Sequence, residues 1–360
     1  MINVACPNLG LEEKSAVNEV IDSGMIACGN ITTDFEKRFA GYIGANHGIA
    51  TTSGTTALEV ALRALGLGQG DKILTTAYSF IATTNAILYV GATPIFADIE
   101  EDSFNISPEE IEKKLCEHPD IKALLIVHLF GRPCNMDRIM EIVSKHHLIV
   151  IEDCAQAHGA KWKGKTVGTF GHAAAYSFYP TKNMTTGEGG IVLTNDDKVA
   201  ETARMLINHG MRIRYHHEII GYNYRMTNVS ASIGLCQLNK LDSMNEARKT
   251  NARAYDKGLA NANIILPKAA EGHVYHQYTI RVINNLRDSF VQYLGENNIG
   301  CGIFYPLTIP EQKCYEPYGF PREYKVADSI KHQVVSLPIH PKLKEEEVTT
   351  VIDAINNFKA

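Results

Sequence analysis

No apolar run in this 360-residue chain approaches the ~20 residues a helix needs to cross a bilayer, so no membrane-spanning helix is expected. Positive charge is not in excess. The chain carries 35 Lys and Arg against 40 Asp and Glu, and a formal net charge of −5 gives no general attraction to nucleic acid or to an anionic membrane surface. The stretch from Met1 to Pro7 lacks a basic region followed by an apolar one, so no secretory signal is expected. The eight cysteines (Cys6, Cys28, Cys116, Cys134, Cys154, Cys236, Cys301 and Cys314) never form a Cys-x-x-Cys pair, which at this length favours reduced thiols and a cytoplasmic protein. The adjacent histidines His146-His147 and His216-His217 are poor metal ligands, because sequence neighbours do not face one side of a helix or strand. No metal is expected. Internal repeats and low-complexity segments are also missing.

What is present is the composition of a globular protein with a full core, 45% hydrophobic and 21% charged, long enough for one large and one small domain. Helical spacing of apolar residues predicts helices over Glu12 to Ser23 and Thr33 to Tyr42. From Gly48 onward, strand and helix alternate. Strands are predicted at Gly48–Thr51, Lys72–Thr75, Thr93–Asp98, Ala123–Leu129 and Leu148–Glu152. Helices between them are predicted at Ala57–Leu65, Ile81–Tyr89, Pro108–Cys116 and Met136–His146. Continuous apolar strands between amphipathic helices predict a mainly parallel sheet covered on both faces, an α/β fold. Val199–Ile207 reads as a helix, Asn208–Tyr224 as a long loop, and Thr227–Leu241 and Asn245–Ala260 as two helices. The C-terminal part predicts strands at Tyr278–Ile283, Ile303–Tyr305 and Val334–Leu337, and helices at Ser289–Gly295 and Glu345–Phe358, a small α+β domain. The expected division is a large domain over 1–245 and a small one over 246–360, with 246–260 as the bridging helix.

Ligands bind at the carboxyl ends of the strands in such a sheet, and three features fall there. The first is Ser53-Gly54-Thr55-Thr56, where a strand turns into a helix and leaves amides and hydroxyls for an anion. Plain helix capping by Ser or Thr is the equal alternative. The second is Glu152-Asp153. The third is Ala175 to Gly190, an apolar run that breaks at Pro180, offers Lys182 and ends in a glycine-rich turn before another apolar run. Burial lowers a lysine pKa, as a Schiff-base lysine requires. A buried lysine, a carboxylate and an anion cup are the needs of pyridoxal 5'-phosphate: an imine partner, a carboxylate for the pyridine nitrogen, a phosphate site and an aromatic ring to stack. Lys182, Asp153, Gly54 with Thr55 and Ser177, and Phe80 supply them in chain order. Taken singly, Asp153 is also a candidate helix cap, Ser177 an ordinary strand serine and Phe80 a core aromatic.

The chain closely resembles the DegT/DnrJ/EryC1/StrS family of PLP-dependent nucleotide-sugar aminotransferases. The resemblance is carried by Ser-Gly-Thr-Thr-Ala-Leu (53–58), Ser-Phe-Ile-Ala-Thr-Thr-Asn-Ala-Ile (79–87), Gly-Ala-Thr-Pro-Ile-Phe-Ala-Asp-Ile (91–99), Ile-Glu-Asp-Cys-Ala-Gln-Ala-His-Gly-Ala (151–160), the lysine stretch and Gly-Tyr-Asn-Tyr-Arg-Met-Thr-Asn (221–228). It implies the PLP-dependent transferase fold type I and homodimers whose active sites are shared between subunits. Position by position, Lys182 matches the Schiff-base lysine and Asp153 the partner of the pyridine nitrogen. Gln156 matches the neighbour of the ring hydroxyl, Phe80 the stacking aromatic, and Gly54, Thr55 and Ser177 the phosphate contacts. Asn223 matches the asparagine lent to the phosphate by the other subunit. The implied reaction moves an amine from L-glutamate to a nucleotide-linked ketosugar, with Lys182 shuttling the proton. The Thr-Lys-Asn-Met-Thr-Thr-Gly-Glu-Gly-Gly form resembles members acting at C4 of 4-keto-6-deoxy sugars. Action at C3, a non-nucleotide ketone such as a cyclitol, sugar dehydration and a regulatory role are the alternatives. Arg212, Arg214, Tyr215 and Arg225 in the 208–225 loop, with Tyr305, are the candidate substrate contacts, against the reading of a solvated basic loop. One departure is Tyr305-Pro306-Leu307-Thr308-Ile309-Pro310, where many members carry Tyr-Pro-x-Pro-Leu-His.

Overall fold

The computed structural model describes residues 1–359; Ala360, the last residue of the expected small domain, lies outside them. Two helices, α1 (Leu11–Ser23) and α2 (Asn30–Ile43), open the chain, each ended by a glycine in the left-handed region (Gly24, φ 68°; Gly44, φ 94°). Alternation follows: β1 (His47–Thr51), α3 (Gly54–Ala64), β2 (Lys72–Thr76), α4 (Ala82–Tyr89), β3 (Thr93–Ala97), α5 (Pro108–Glu117), β4 (Ile121–Val127), α6 (Met136–His146) and β5 (Ile149–Asp153). A small hairpin, β6 (Lys161–Trp162) and β7 (Lys165–Thr166), leads to β8 (Ala173–Ser177), β9 (Gly190–Thr194) and α7 (Asp197–Leu206).

Seven of these strands form one sheet in the order β1-β9-β8-β5-β4-β2-β3. Only β9 runs against the rest, pairing antiparallel with both β1 and β8, while β8, β5, β4, β2 and β3 pair in parallel. Successive residues feed opposite faces. Ala123 and Leu125 of β4 join the core under α3 and α4, and Leu124 and Ile126 join the core against α5 and α6. This is the α/β architecture expected from the apolar strands.

The rest of the chain departs from expectation in three places. The 208–224 segment is not all loop, since it contains a short hairpin, β10 (Met211–Ile213) with β11 (His216–His217). The two helices expected over 227–260 are one 31-residue helix, α8 (Asn228–Gly258). The break expected at 242–244 is not there, since Ser243 Oγ returns to Lys240 O (2.7 Å) within the helix, and the adjoining Asn245 side chain is buried and bonds to His158 O (2.9 Å). Its polarity serves tertiary contacts, not a helix end. The N-terminal half of α8 packs on the large core through Ala231, Leu238 and Leu241, and the C-terminal half enters a second core through Ala252 and Tyr255. That second core holds β12 (Ile264–Ile265), β13 (Tyr278–Val282), α9 (Arg287–Glu296), then, beyond α10 (Lys325–Ile330), β14 (Val334–Leu337) and α11 (Glu345–Asn357), with β12-β13-β14 forming an antiparallel sheet. The strand expected at Ile303–Tyr305 is not formed. A single bridge joins Gly302 to Ser336, and the Tyr305 amide donates to the Tyr78 hydroxyl (2.6 Å) instead of to a neighbouring strand. Among the described residues no helix is long and apolar enough to cross a membrane.

Candidate active site

Because β1, β5 and β8 run the same way, their carboxyl ends share one rim, and a cavity of about 390 Å³ opens between that rim and the C-terminal core. Gly54, Thr55, Phe80, Asp153, Gln156, Ser177, Lys182 and Tyr305 all line it.

The anion end lies where β1 turns into α3. Ser53 Oγ accepts from Thr56 N (3.2 Å) and Ser53 O from Ala57 N (3.0 Å), so Ser53 is an N-cap. The Gly54 and Thr55 amides have no protein acceptor among the described residues and stay free at the helix N-terminus. The capping and anion readings of this turn therefore hold together, on different residues. Two glycines allow the close approach. A Cβ on Gly54 would stand 2.5 Å from Ser177 Cβ, and one on Gly190 would stand 2.3 Å from the Ser53 carbonyl oxygen.

Lys182 sits in a turn that bonds almost wholly to itself. Its amide donates to Tyr179 O (2.9 Å), Thr186 N and Thr185 Oγ1 both reach Phe178 O (3.0 and 2.7 Å), and Asn183 Nδ2 anchors to Asn245 Oδ1 (2.8 Å) and Val274 O (3.0 Å). Burial pulls the Lys182 pKa down to about 8, opposed by the Asp153 carboxylate. Asp153 ends β5 and is buried. Its Oδ1 accepts from Ala155 N (3.1 Å) and its Oδ2 from Thr83 Oγ1 (2.8 Å). Burial raises its pKa, against those bonds and the charge of Lys182. Such a carboxylate is poised to pair with a cation presented by a ligand.

Gln156 is buried, with Oε1 accepting from Phe130 N (2.6 Å) and Nε2 donating to the Tyr305 hydroxyl (3.3 Å). Phe80 is 54% exposed, so it is no core aromatic; its ring centroid lies 6.1 Å from that of Tyr305, across the cavity mouth. A free-amide cup, an amine of lowered pKa, a carboxylate beneath and an exposed aromatic ring are the donor set that pyridoxal phosphate requires, and the residues present fit it.

The neighbouring Glu152 has another task. It accepts from His128 Nε2 (3.0 Å) and from the amides of Gly168, Phe170 and Gly171 (each 2.7 Å), while His128 Nδ1 accepts from Cys134 N (3.0 Å). The His128–Glu152–Cys154 group is thus spent on holding the chain between β7 and β8, and its imidazole and carboxylate are not free to ligate a metal. Neither histidine pair converges: His147 caps α6 and His216-His217 form β11.

Five predicted residues are absent from the cavity wall of their own chain. Arg212 pairs with Glu201 (2.9 Å) and Glu218 (3.4 Å), and Arg214 lies over the Tyr215 ring (4.9 Å to its centroid). Arg225 donates to Asn208 (2.7 Å) and to Asn223 Oδ1 (3.1 Å). Thr83 and Arg248 are among the cavity residues that escaped the sequence reading. Thr83, the donor to Asp153, is the second residue of α4, with nothing local to mark it. Arg248 had one available signal, since it falls on the same buried stripe as Leu241, Met244, Ala252 and Tyr255. In the departed 305–310 segment, Thr308 is buried and caps a short 3₁₀ turn with Glu311 (2.8 and 2.9 Å).

Comparison with known proteins agrees with this geometry. The chain matches the DegT/DnrJ/EryC1/StrS aminotransferase family over residues 7–356. It is 39% identical to a pleiotropic regulatory protein of Geobacillus stearothermophilus, over 95% of this chain and 93% of that one. It is 38% identical to a UDP-N-acetyl-3-dehydro-alpha-D-glucosamine 3-aminotransferase of Acidithiobacillus ferrooxidans, covering 95% and 92%. Among solved structures, S. venezuelae DesV in complex with a ketimine intermediate superposes with a TM-score of 0.92 at 38% identity, covering 96% of this chain and 94% of that one.

Proposed function

The chain belongs to the DegT/DnrJ/EryC1/StrS family of PLP-dependent aminotransferases, and on that footing we propose that it moves an amine from L-glutamate to C4 of a nucleotide-linked 4-keto-6-deoxy sugar. The observation that carries the aminotransferase reading is the facing of Lys182 and Asp153 on one rim, beside the free Gly54 and Thr55 amides. The C4 assignment rests on the Thr181–Gly190 form of the lysine turn. Action at C3 is the second reading, favoured by the name of the Acidithiobacillus relative. A regulatory role without turnover is favoured only by the name of the Geobacillus relative.

Bound pyridoxal phosphate supplies the electron sink that lets an amine leave one carbon and join another. The chain's residues do the rest. Gly54 and Thr55 amides with Ser177 would hold the phosphate, Asp153 would pair with the ring nitrogen, and Phe80 would cover the ring. Lys182 Nζ would hold the cofactor and, as a free amine, would take up and return the substrate proton, a role its pKa, lowered by burial to about 8, suits. The substrate-binding half is proposed to be completed in a homodimer. Two features support this: Asn223 and the loop arginines do not line their own cavity, and Ile213, Tyr215 and Ile220 of that loop are 64%, 75% and 89% exposed.

The test is incubation of the PLP-loaded protein with L-glutamate and a nucleotide-linked 4-keto-6-deoxy sugar, with mass spectrometry for 2-oxoglutarate and NMR to locate the new amine. Amine at C4 is the expected result. Amine at C3 replaces the carbon assignment alone. No amination of any nucleotide ketosugar, by any donor, overturns the substrate reading.

A further inference from the structure

Arg248 is a buried charge that neither the fold nor the cofactor contacts above account for. It lies midway along α8 and is 4% exposed. Its Nη1 donates to the carbonyls of Tyr275 (3.3 Å) and His276 (3.2 Å), while Nε is buried with no acceptor, and no carboxylate pairs with the guanidinium among the described residues. A guanidinium taken out of water without an opposite charge is costly, and the cost is usually met by a bound anion or a paired acid. Burial alone pulls its pKa down to about 10, and no neighbouring acid acts to hold it up. Its ionisable neighbours are of the wrong sign. Lys182 is close to both His158 and His276, and those two imidazoles are themselves kept from protonating, by burial first and then by Lys182 and Arg248. Asp153 is engaged elsewhere, by Thr83, the Ala155 amide and Lys182.

Position then restricts what the missing anion is. Arg248 and Lys182 together line the main cavity, and together line a smaller cavity beside it. The phosphate end, at Gly54, Thr55 and Ser177, is provided for separately. We propose that Arg248 receives the α-carboxylate of the amino donor and holds it next to Lys182, a role that rests on the aminotransferase reading above. An α-amino acid bears its carboxylate on the carbon that bears the amine, so the group that receives it belongs beside the lysine. A guanidinium offers the planar fork that matches a carboxylate. A ketosugar brings no carboxylate, so Arg248 serves the donor half of the reaction and not the acceptor half.

The experiment titrates glutarate, an unreactive dicarboxylate, into the PLP-loaded protein by calorimetry, with wild type, Arg248→Gln and Arg248→Met side by side. Gln keeps donors for the Tyr275 and His276 carbonyls while removing the charge, and Met keeps stem volume alone. The expected result is glutarate affinity lower by about 10- to 100-fold in both variants, the scale of a lost charge-assisted bond, with PLP retention and Tm of the Gln variant near wild type. Equal glutarate affinity in wild type and the Gln variant overturns the proposal, as does a loss of PLP in step with the loss of glutarate, or wild type that binds no glutarate. The nucleotide-ketosugar reading fails on a different result, absence of ketosugar amination, so the two failures are told apart.

Discussion

Residues 178–190 and 208–225 are both polar, glycine-containing segments, the first joining two strands and the second joining two helices, yet they are built in opposite ways. In the first, Thr185, Thr186 and Asn183 turn inward and bond to the segment's own backbone or to the core, and all three are about 2% exposed. In the second, the arginines pair with acids and amides at the surface, and Ile213, Tyr215 and Ile220 face outward. A segment satisfied from within fixes a lysine to a fraction of an ångström, as chemistry at one atom requires. A segment that exposes apolar residues in a group is suited to meet another surface. The comparison teaches that the proposed cofactor contacts other than Asn223 gather in one chain, whereas Asn223 and the proposed substrate contacts of the second segment await a partner copy.

The largest break in that comparison comes from Lys182→Ala. Transamination should fall by at least about 10³-fold, since in the proposed reaction the lysine both carries the cofactor and moves the proton, and the yellow absorbance of bound PLP should vanish while far-UV circular dichroism is unchanged. Activity surviving in this variant would remove the inward turn from the chemistry. Next in size is Asn223→Ala, expected to weaken PLP binding by about 10- to 100-fold through loss of one bond to a charged group. Mixing it with Lys182→Ala chains should restore activity, because a mixed dimer holds one site with both residues; no recovery would mean that each chain completes its own site.

A pH series sharpens the contrast further. The amine must be neutral to take the cofactor. With a pKa near 8, capture of PLP by the apoprotein should rise with pH and level off above about 8. An ordinary surface lysine would still be gaining past pH 10. The smallest effect is expected at Arg212→Ala, whose partners Glu201 and Glu218 are half exposed: urea unfolding should shift by no more than about 0.5 kcal/mol. If the loop meets a nucleotide diphosphate, the same variant raises KM for the ketosugar and leaves kcat alone.

Local pattern made much of this molecule readable. The alternation of apolar strands and amphipathic helices gave the parallel sheet, and a parallel sheet puts its strand ends on one rim, so Gly54, Asp153, Ser177 and Lys182 were bound to meet once the strands were recognised. The misreadings have a common cause. The 242–244 stretch looked like a gap between two helices, but α8 runs through it, and Asn245 beside it is polar for the sake of His158 and Asn183, far away in sequence. Ile303–Tyr305 looked like a strand because it is apolar, and its amide is taken by a tyrosine hydroxyl 227 positions off.

By itself, then, the sequence determined the alternating strands and helices of the large sheet, their order along the chain and the rim on which the proposed cofactor residues gather, since each follows from periodicity and turn chemistry within a dozen residues. Only the tertiary structure decided that Thr83 supports Asp153, that α8 runs unbroken from one core into the other, and that Arg248 lies uncompensated beside Lys182. Those depend on which distant side chains share a buried space, and no spacing within one element encodes that.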